Sequence, residues 1–541
     1  MKNNRSLASA SLSLALAFFV TRTGAQEHHH TEPASTDRLG HVSFPIACSA
    51  NAQASFDRGV ALLHSFGYSL AQQQFEAIEQ QEPACAMAYW GDAMTRYHQL
   101  WDRPSEDQMA AGWALIQKAE TAGPKTARER GYVAAAAAFY RSDSKLSFEN
   151  RSAAYSRSLE KLHSAFPADH EAAIFYALSL IGSPDANDGD FADRKKAVAI
   201  LNGILKEEPD HPGVAHYLIH ACDNPEMAQE GLAAARRYAQ IAPDAPHALH
   251  MPSHIFARRG LWQDDIESNL LSKAAAEKQR STHDRVHAMD FLEYAYLQTG
   301  QDTKARAIEE EAVAIPKEDY AKDFVPYFFS MQVHLPALFA LETRAWKDAE
   351  ELTPPAGAAP DFQAGVYWAQ AVAAGHLRDA PTARAAVEKY DAALDAVKKS
   401  SYAYVAAEME TTRDESHAWL AFAEGNDGEG TRLLSKVADE QDKVGKGEVE
   451  LPAREMLADM LLESHRPAEA LAEYERSRKI DPGRFNALYG AAQAARSADN
   501  PAAAQSYFKE LLANCPDGDR PELALARKYL ENPAEAPNLG H

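Results

Sequence analysis

The chain is poor in cysteine, in positive charge and in strand-like patterning, and each shortage removes a class of function. Four cysteines in 541 residues, none at Cys-x-x-Cys spacing, exclude thiolate zinc clusters and thioredoxin-like redox motifs. No Gly-rich phosphate loop, nucleophile elbow or His-Glu-x-x-His occurs, which leaves no sequence basis for an NTPase, an α/β-hydrolase or a zincin. Lys and Arg number 55 against 78 Asp and Glu, a formal net charge of −23. So acidic a surface argues against nucleic acid and anionic membranes as partners and attracts cations. No apolar run after residue 20 approaches the length of a bilayer span. Alternation with a period of two is missing throughout, so a sheet is not expected.

The first 25 residues read as a secretory signal. Lys2 and Arg5 give the basic start, Leu7 to Val20 the short apolar core, and Thr23-Gly24-Ala25 a small-residue cleavage site. A periplasmic or secreted location follows as an expectation. Export permits disulfides, and Cys48 and Cys85 flank the first repeat, so they are expected to pair. Cys222 and Cys515 are far apart in sequence and read as buried thiols. Residues 26–51, with His28-His29-His30 followed by Pro, Ser, Thr and Gly, read as a flexible arm.

What the chain has in abundance is amphipathic helix. From residue 52 apolar residues recur at three and four, and Gly or Pro punctuates about every 15 residues. The first unit carries Gly59, Ala71, Phe75 and Pro83; later ones carry Gly300 with Ala305, Trp346 with Ala349, and Ala470 with Tyr474 and Pro482. These spacings resemble the tetratricopeptide (TPR) pattern, a helix-turn-helix unit of about 34 residues that buries its apolar stripe only by stacking. The fold class expected is all-α, a TPR-like α-solenoid. Thr353-Pro354-Pro355 to Pro360 offers a break, giving an array over 52–353 and a second over 354–541.

Chemistry concentrates between His211 and His287. His216-Tyr217-Leu218-Ile219-His220, His250-Met251-Pro252-Ser253-His254 and His283-Asp284-Arg285-Val286-His287 are three His-x-x-x-His pairs, offset by 34 and then 33 residues. Four-residue spacing sets two imidazoles on one helix face, and an offset of one repeat sets the pairs on successive first helices, 8–10 Å apart. TPR first helices line the concave groove. His216, His220, His250, His254 and His287 are therefore the candidate metal ligands, and neutral imidazole suits copper and zinc, with iron behind them. His283, Asp290, His64, Asp223 and Tyr217 are candidates for further ligands or for orienting an imidazole. His211 and His247, beside prolines, read as capping or packing residues.

The blocks Leu63-His64-Ser65-Phe66, Ala88-Tyr89-Trp90-Gly91, His216 to His220, Pro246 to His254 and Pro452-Ala453-Arg454-Glu455 resemble those of a group of exported bacterial TPR proteins without a defined function. That resemblance implies the fold and no catalytic residue. The function expected is thus an exported TPR protein that binds a transition metal, with a small-molecule or peptide ligand in its groove. A copper- or iron-dependent oxidoreductase built in the same groove is one alternative, and a metal-free peptide-binding scaffold the other. Glu408, Glu410, Glu440, Asp442 and Glu455 are weaker candidates for paired catalytic carboxylates. No nucleic acid and no membrane span are expected, and the oligomeric state stays open.

Overall fold

The computed structural model describes residues 37–532, except 101–102, 142–145, 184–189, 401–402 and 448. The signal segment and the His28–His30 triplet lie outside the described residues. Among those described there is no strand, and no helix is long and apolar enough to cross a membrane. The chain forms two compact units, which divide between Ile255 and Phe256.

The N-terminal unit runs through α1 (Ala50–His64), α2 (Tyr68–Gln81), α3 (Ala86–Met94), α4 (Glu106–Ala122), α5 (Ala127–Tyr140) and α6 (Phe148–Ala165). It continues through α7 (His170–Ile181), α8 (Ala192–Leu205), α9 (Pro212–Cys222), α10 (Ala228–Ile241) and α11 (Pro246–His250). The unit boundary falls inside α12 (Pro252–Arg258). Consecutive helices pack as TPR-like pairs, and first helices also touch one another, as α1 with α3 and α7 with α9. Starts are signalled locally: Ser105 with Gln108 and Thr126 with Glu129 form reciprocal capping boxes. The small-small-aromatic pattern has a direct packing cause. A Cβ on Gly59 would sit 2.7 Å from the Phe75 ring, and one on Gly91 2.5 Å. Phe75 itself is fully buried, so the two glycines make the slot that lets neighbouring helices close around it.

Residues 37–49 differ from the expected flexible arm. They run extended along the unit, burying Leu39, Val42 and Phe44. The backbone amides of His41, Phe44 and Ala47 donate to the Asp210 carbonyl, Asp57 and Glu129. The apolar residues at 39, 42 and 44 pay for ordering the segment. Cys48 and Cys85 form a disulfide with Cα atoms 5.5 Å apart, while Cys222 and Cys515 are buried thiols. Replacing both half-cystines by serine is expected to cost about 3–4 kcal/mol, from the loop that the bond closes. Guanidinium unfolding of oxidised wild type against the double variant measures it, and equal stabilities would refute the estimate.

The C-terminal unit holds α13 (Trp262–Gln279), α14 (Thr282–Gln298), α15 (Asp302–Val313), α16 (Val325–Glu342), α17 (Trp346–Glu351), α18 (Pro360–His376) and α19 (Ala380–Lys398). Beyond these come α20 (Ala406–Ala423), α21 (Asp427–Val444), α22 (Ala453–Glu463), α23 (Pro467–Ile480), α24 (Phe485–Ser497), α25 (Pro501–Asn514) and α26 (Pro521–Glu531). The proline-rich stretch at 354–360 merely joins α17 to α18, which pack on each other inside this unit. Gly260 is required by its place: φ is +64°, and a Cβ there would lie 2.3 Å from the Pro482 carbonyl.

Glu415 on α20 is buried, accepts a hydrogen bond from Trp368 Nε1 at 2.8 Å, and is pushed by burial up to about 8. The folded protein therefore keeps a proton that the unfolded chain, near 4.5, has lost. Its stabilising contribution is complete below pH 4.5, falls as pH rises through the interval, and is gone above 8, at about 1.4 kcal/mol per pH unit. Glu415→Gln keeps an acceptor for Trp368 and is expected to flatten the fall in melting temperature across that interval. An unchanged pH profile would contradict the assignment.

Candidate metal centre

Two kinds of histidine share the N-terminal unit, and their hydrogen bonds separate them. Glu171, at the start of α7, sits between His64 Nε2 (2.9 Å) and His211 Nε2 (3.0 Å). All three side chains are buried. His211 Nδ1 accepts the Val214 amide as the N-cap of α9, so its proton is on Nε2 and points at the carboxylate. His64 Nδ1 lies 3.0 Å from the Tyr217 hydroxyl, which donates to it and places the His64 proton on Nε2 as well. Both imidazoles thus donate to one carboxylate. Burial pushes Glu171 up, but His64 and His211 outweigh it and hold it below the usual carboxylate range. Burial pushes His64 down, so a neutral His64 ring faces an ionised carboxylate. Although these atoms lie close enough to hold a metal, every nitrogen already has a partner. The cluster is thus fully engaged within the protein, and His211 caps α9 as its sequence context suggests.

The second kind centres on His216. Its Nδ1 donates to the His64 carbonyl at 2.6 Å, so its Nε2 carries a lone pair. His220 Nε2 lies 3.0 Å and His247 Nε2 3.1 Å from that atom. One lone pair accepts one N–H well, yet two imidazole nitrogens face it. A further pair adjoins the trio: His254 Nδ1 donates to Asp223 Oδ2 at 2.9 Å, and His254 Nε2 is 3.1 Å from His250 Nε2. Pro252 interrupts the helix between them, but Met251 keeps right-handed helical angles, so the four-residue spacing still brings the rings together, edge to face with centroids 5.0 Å apart.

These rings do not line an open groove. His216 is 0 % exposed, His250 1 % and His254 8 %. For His216 the cause is a contact that sequence periodicity does not contain: α1 packs on α9. The turn after α1 lays Phe66, at φ 55°, over the cluster, with ring centroids 4.4 Å from His216, 5.6 Å from His220 and 5.4 Å from His247. Burial lowers His216 to about 3 and drives His220 well below its ordinary value, so both rings are neutral, as ligation requires.

Tyr217 serves His64, and Asp223 orients His254. His287 lies on α14 in the C-terminal unit, its Nδ1 3.3 Å from the Tyr327 hydroxyl. In that same unit His283 stacks on Phe324 at 4.1 Å, and Asp290 lies 3.3 Å from His334 Nε2. Of the acidic residues, Glu410 pairs with Lys398, Asp442 with Arg454 and Glu455 with Arg484. His247 is the residue the sequence reading missed. Its one signal is the three-residue spacing to His250 in a helix opened by Pro246.

The protein is an all-α repeat protein of TPR-like helix pairs. No protein-family model matches the chain, and no curated protein does. Among solved structures it is similar to a tetratricopeptide repeat protein from Parabacteroides merdae, at 16 % identity and a TM-score of 0.28 over 53 % of this chain and 99 % of that one. Human IFIT1, solved as a dimer with PPP-AAAA, gives 12 % and 0.37 over 87 % and 98 %. Yeast Tom70 gives 12 % and 0.32 over 89 % and 95 %. Overlaps this loose fix neither ligand nor activity.

Proposed function

We propose that the protein is an exported metal-binding repeat protein that holds a copper or zinc ion on the Nε2 atoms of His216, His220 and His247. The observation that carries this reading is the surplus of ring nitrogens around His216 Nε2, on a ring whose one proton, at Nδ1, is committed to the His64 carbonyl. A cation satisfies three convergent lone pairs; one proton cannot. Bonds of about 2.0–2.1 Å put neighbouring nitrogens of a tetrahedral site about 3.3–3.4 Å apart, so separations of 3.0 and 3.1 Å need a widening of only a few tenths of an ångström. The His64 carbonyl behind His216 is the outer partner that fixes a ligating tautomer. The Cys48–Cys85 bond suits an oxidising compartment and supports export.

Protein purified without a histidine tag should carry one copper or zinc per chain by elemental analysis, or take it up after stripping. Wild type that never reaches stoichiometric metal would assign these rings to packing, and the metal-free scaffold would become the better reading.

A further inference from the structure

We infer that His250 and His254 hold a second ion beside the first, and that the pair of ions is monovalent copper. This rests on the first ion being bound by the trio. Like His216, His254 has its Nδ1 proton engaged, here by the Asp223 carboxylate at 2.9 Å. Its Nε2 is then the unprotonated nitrogen, made more basic by the carboxylate behind it. His250 Nε2 stands 3.1 Å away, and both rings are buried. The same device therefore occurs twice: an imidazole anchored through Nδ1, with its Nε2 facing another Nε2.

The two groups are contiguous. His220 and His254 have ring centroids 6.0 Å apart, and His247 and His250 6.1 Å. Five imidazoles exceed the four donors that a tetrahedral copper or zinc site takes, whereas three and two divide naturally over neighbouring ions.

Charge selects the metal. Imidazole donors bring no negative charge, the Asp223 carboxylate brings one, and Glu171 is engaged by His64 and His211. The Arg194 guanidinium donates to the His220 carbonyl, which adds positive charge nearby. Two divalent ions would leave a large uncompensated charge in a buried site, which is costly. Two Cu(I) ions carry half as much, imidazole suits copper, and two or three nitrogen donors satisfy each ion.

The test is an anaerobic Cu(I) titration of the full chain against a chromophoric competitor, with Zn(II) in parallel. Wild type should bind two Cu(I), and H250A/H254A one. Asp223→Asn should weaken the second ion by about 10–100-fold and leave the first in place; because it keeps all five rings, it serves if the double variant fails to fold. Two ions bound by wild type and equally by H250A/H254A would overturn the assignment. One ion in both would overturn the second site and leave the first standing. No Cu(I) or Zn(II) bound at all would remove the first-ion reading and this one with it.

Discussion

Replacing His216 with alanine is expected to lower metal affinity by more than about a hundredfold, beyond what losing an outer-shell partner costs. His216 is the ring on which the other two converge, at 3.0 and 3.1 Å, and the one whose tautomer the His64 carbonyl holds. Without it, His220 and His247 lose the nitrogen that relates them. The bound ion should also stabilise the wild type, by about 2.7 kcal/mol when free metal is a hundred times the dissociation constant. H216A should show no such gain. Equilibrium competition and thermal melts with and without metal measure the two effects. His211→Ala provides the contrast, since it removes one donor to Glu171 and leaves the trio whole. It should lower the melting temperature and keep the metal count. If H216A binds as tightly as wild type, the trio is not the site.

The helices and their repeat were legible because burying a stripe at three-and-four spacing leaves a mark on every turn. The His-x-x-x-His pairs were legible for the same reason, since four-residue spacing and a 34-residue offset are local and periodic. Membership of the site was not. His247 joins it from the first turn of a five-residue helix, where the neighbouring proline suggests a turn. Burial was hidden too, because the residues that cover His216 come from Phe66 and the end of α1, about 150 positions away. Glu171 carries no motif; it acquires its role only when α7 comes between His64 and His211. The arm at 37–49 is short, and its buried Leu39, Val42 and Phe44 are spaced three and then two apart, which matches neither a helical nor an alternating period. Composition likewise pointed to the prolines at 354–360 as a boundary, whereas the units divide between Ile255 and Phe256, in a segment with no compositional shift.

Arg484 should prove the most costly single residue of the C-terminal unit to remove. It is 0 % exposed, and its guanidinium meets Glu455 through Nε and Nη2 at 2.9 and 3.0 Å, Glu342 through Nη2 at 2.6 Å, and the Tyr294 hydroxyl. Burial works against its charge, but Glu342 and Glu455 outweigh burial and hold it firmly protonated. A buried ion pair adds little over an apolar substitute of the same shape, whereas removal of one partner strands the other. Here two carboxylates, Glu342 at 0 % and Glu455 at 3 % exposure, would be stranded at once. Arg484→Met is therefore expected to destabilise the unit by at least about 3–5 kcal/mol, the cost of breaking one buried pair. The triple variant R484M/E342Q/E455Q removes the stranded charges and should recover a large part of that loss. Its amide at position 342 still offers an acceptor to Asn486, which donates to Glu342 at 3.0 Å in the wild type. Denaturant unfolding followed by the thiol reactivity of Cys515, which is buried in the folded unit and becomes exposed only when that unit opens, in a background lacking Cys222, separates its transition from that of the N-terminal unit. A loss below about 1 kcal/mol for R484M, or a triple variant less stable than R484M, would show that the carboxylates are not held by the arginine.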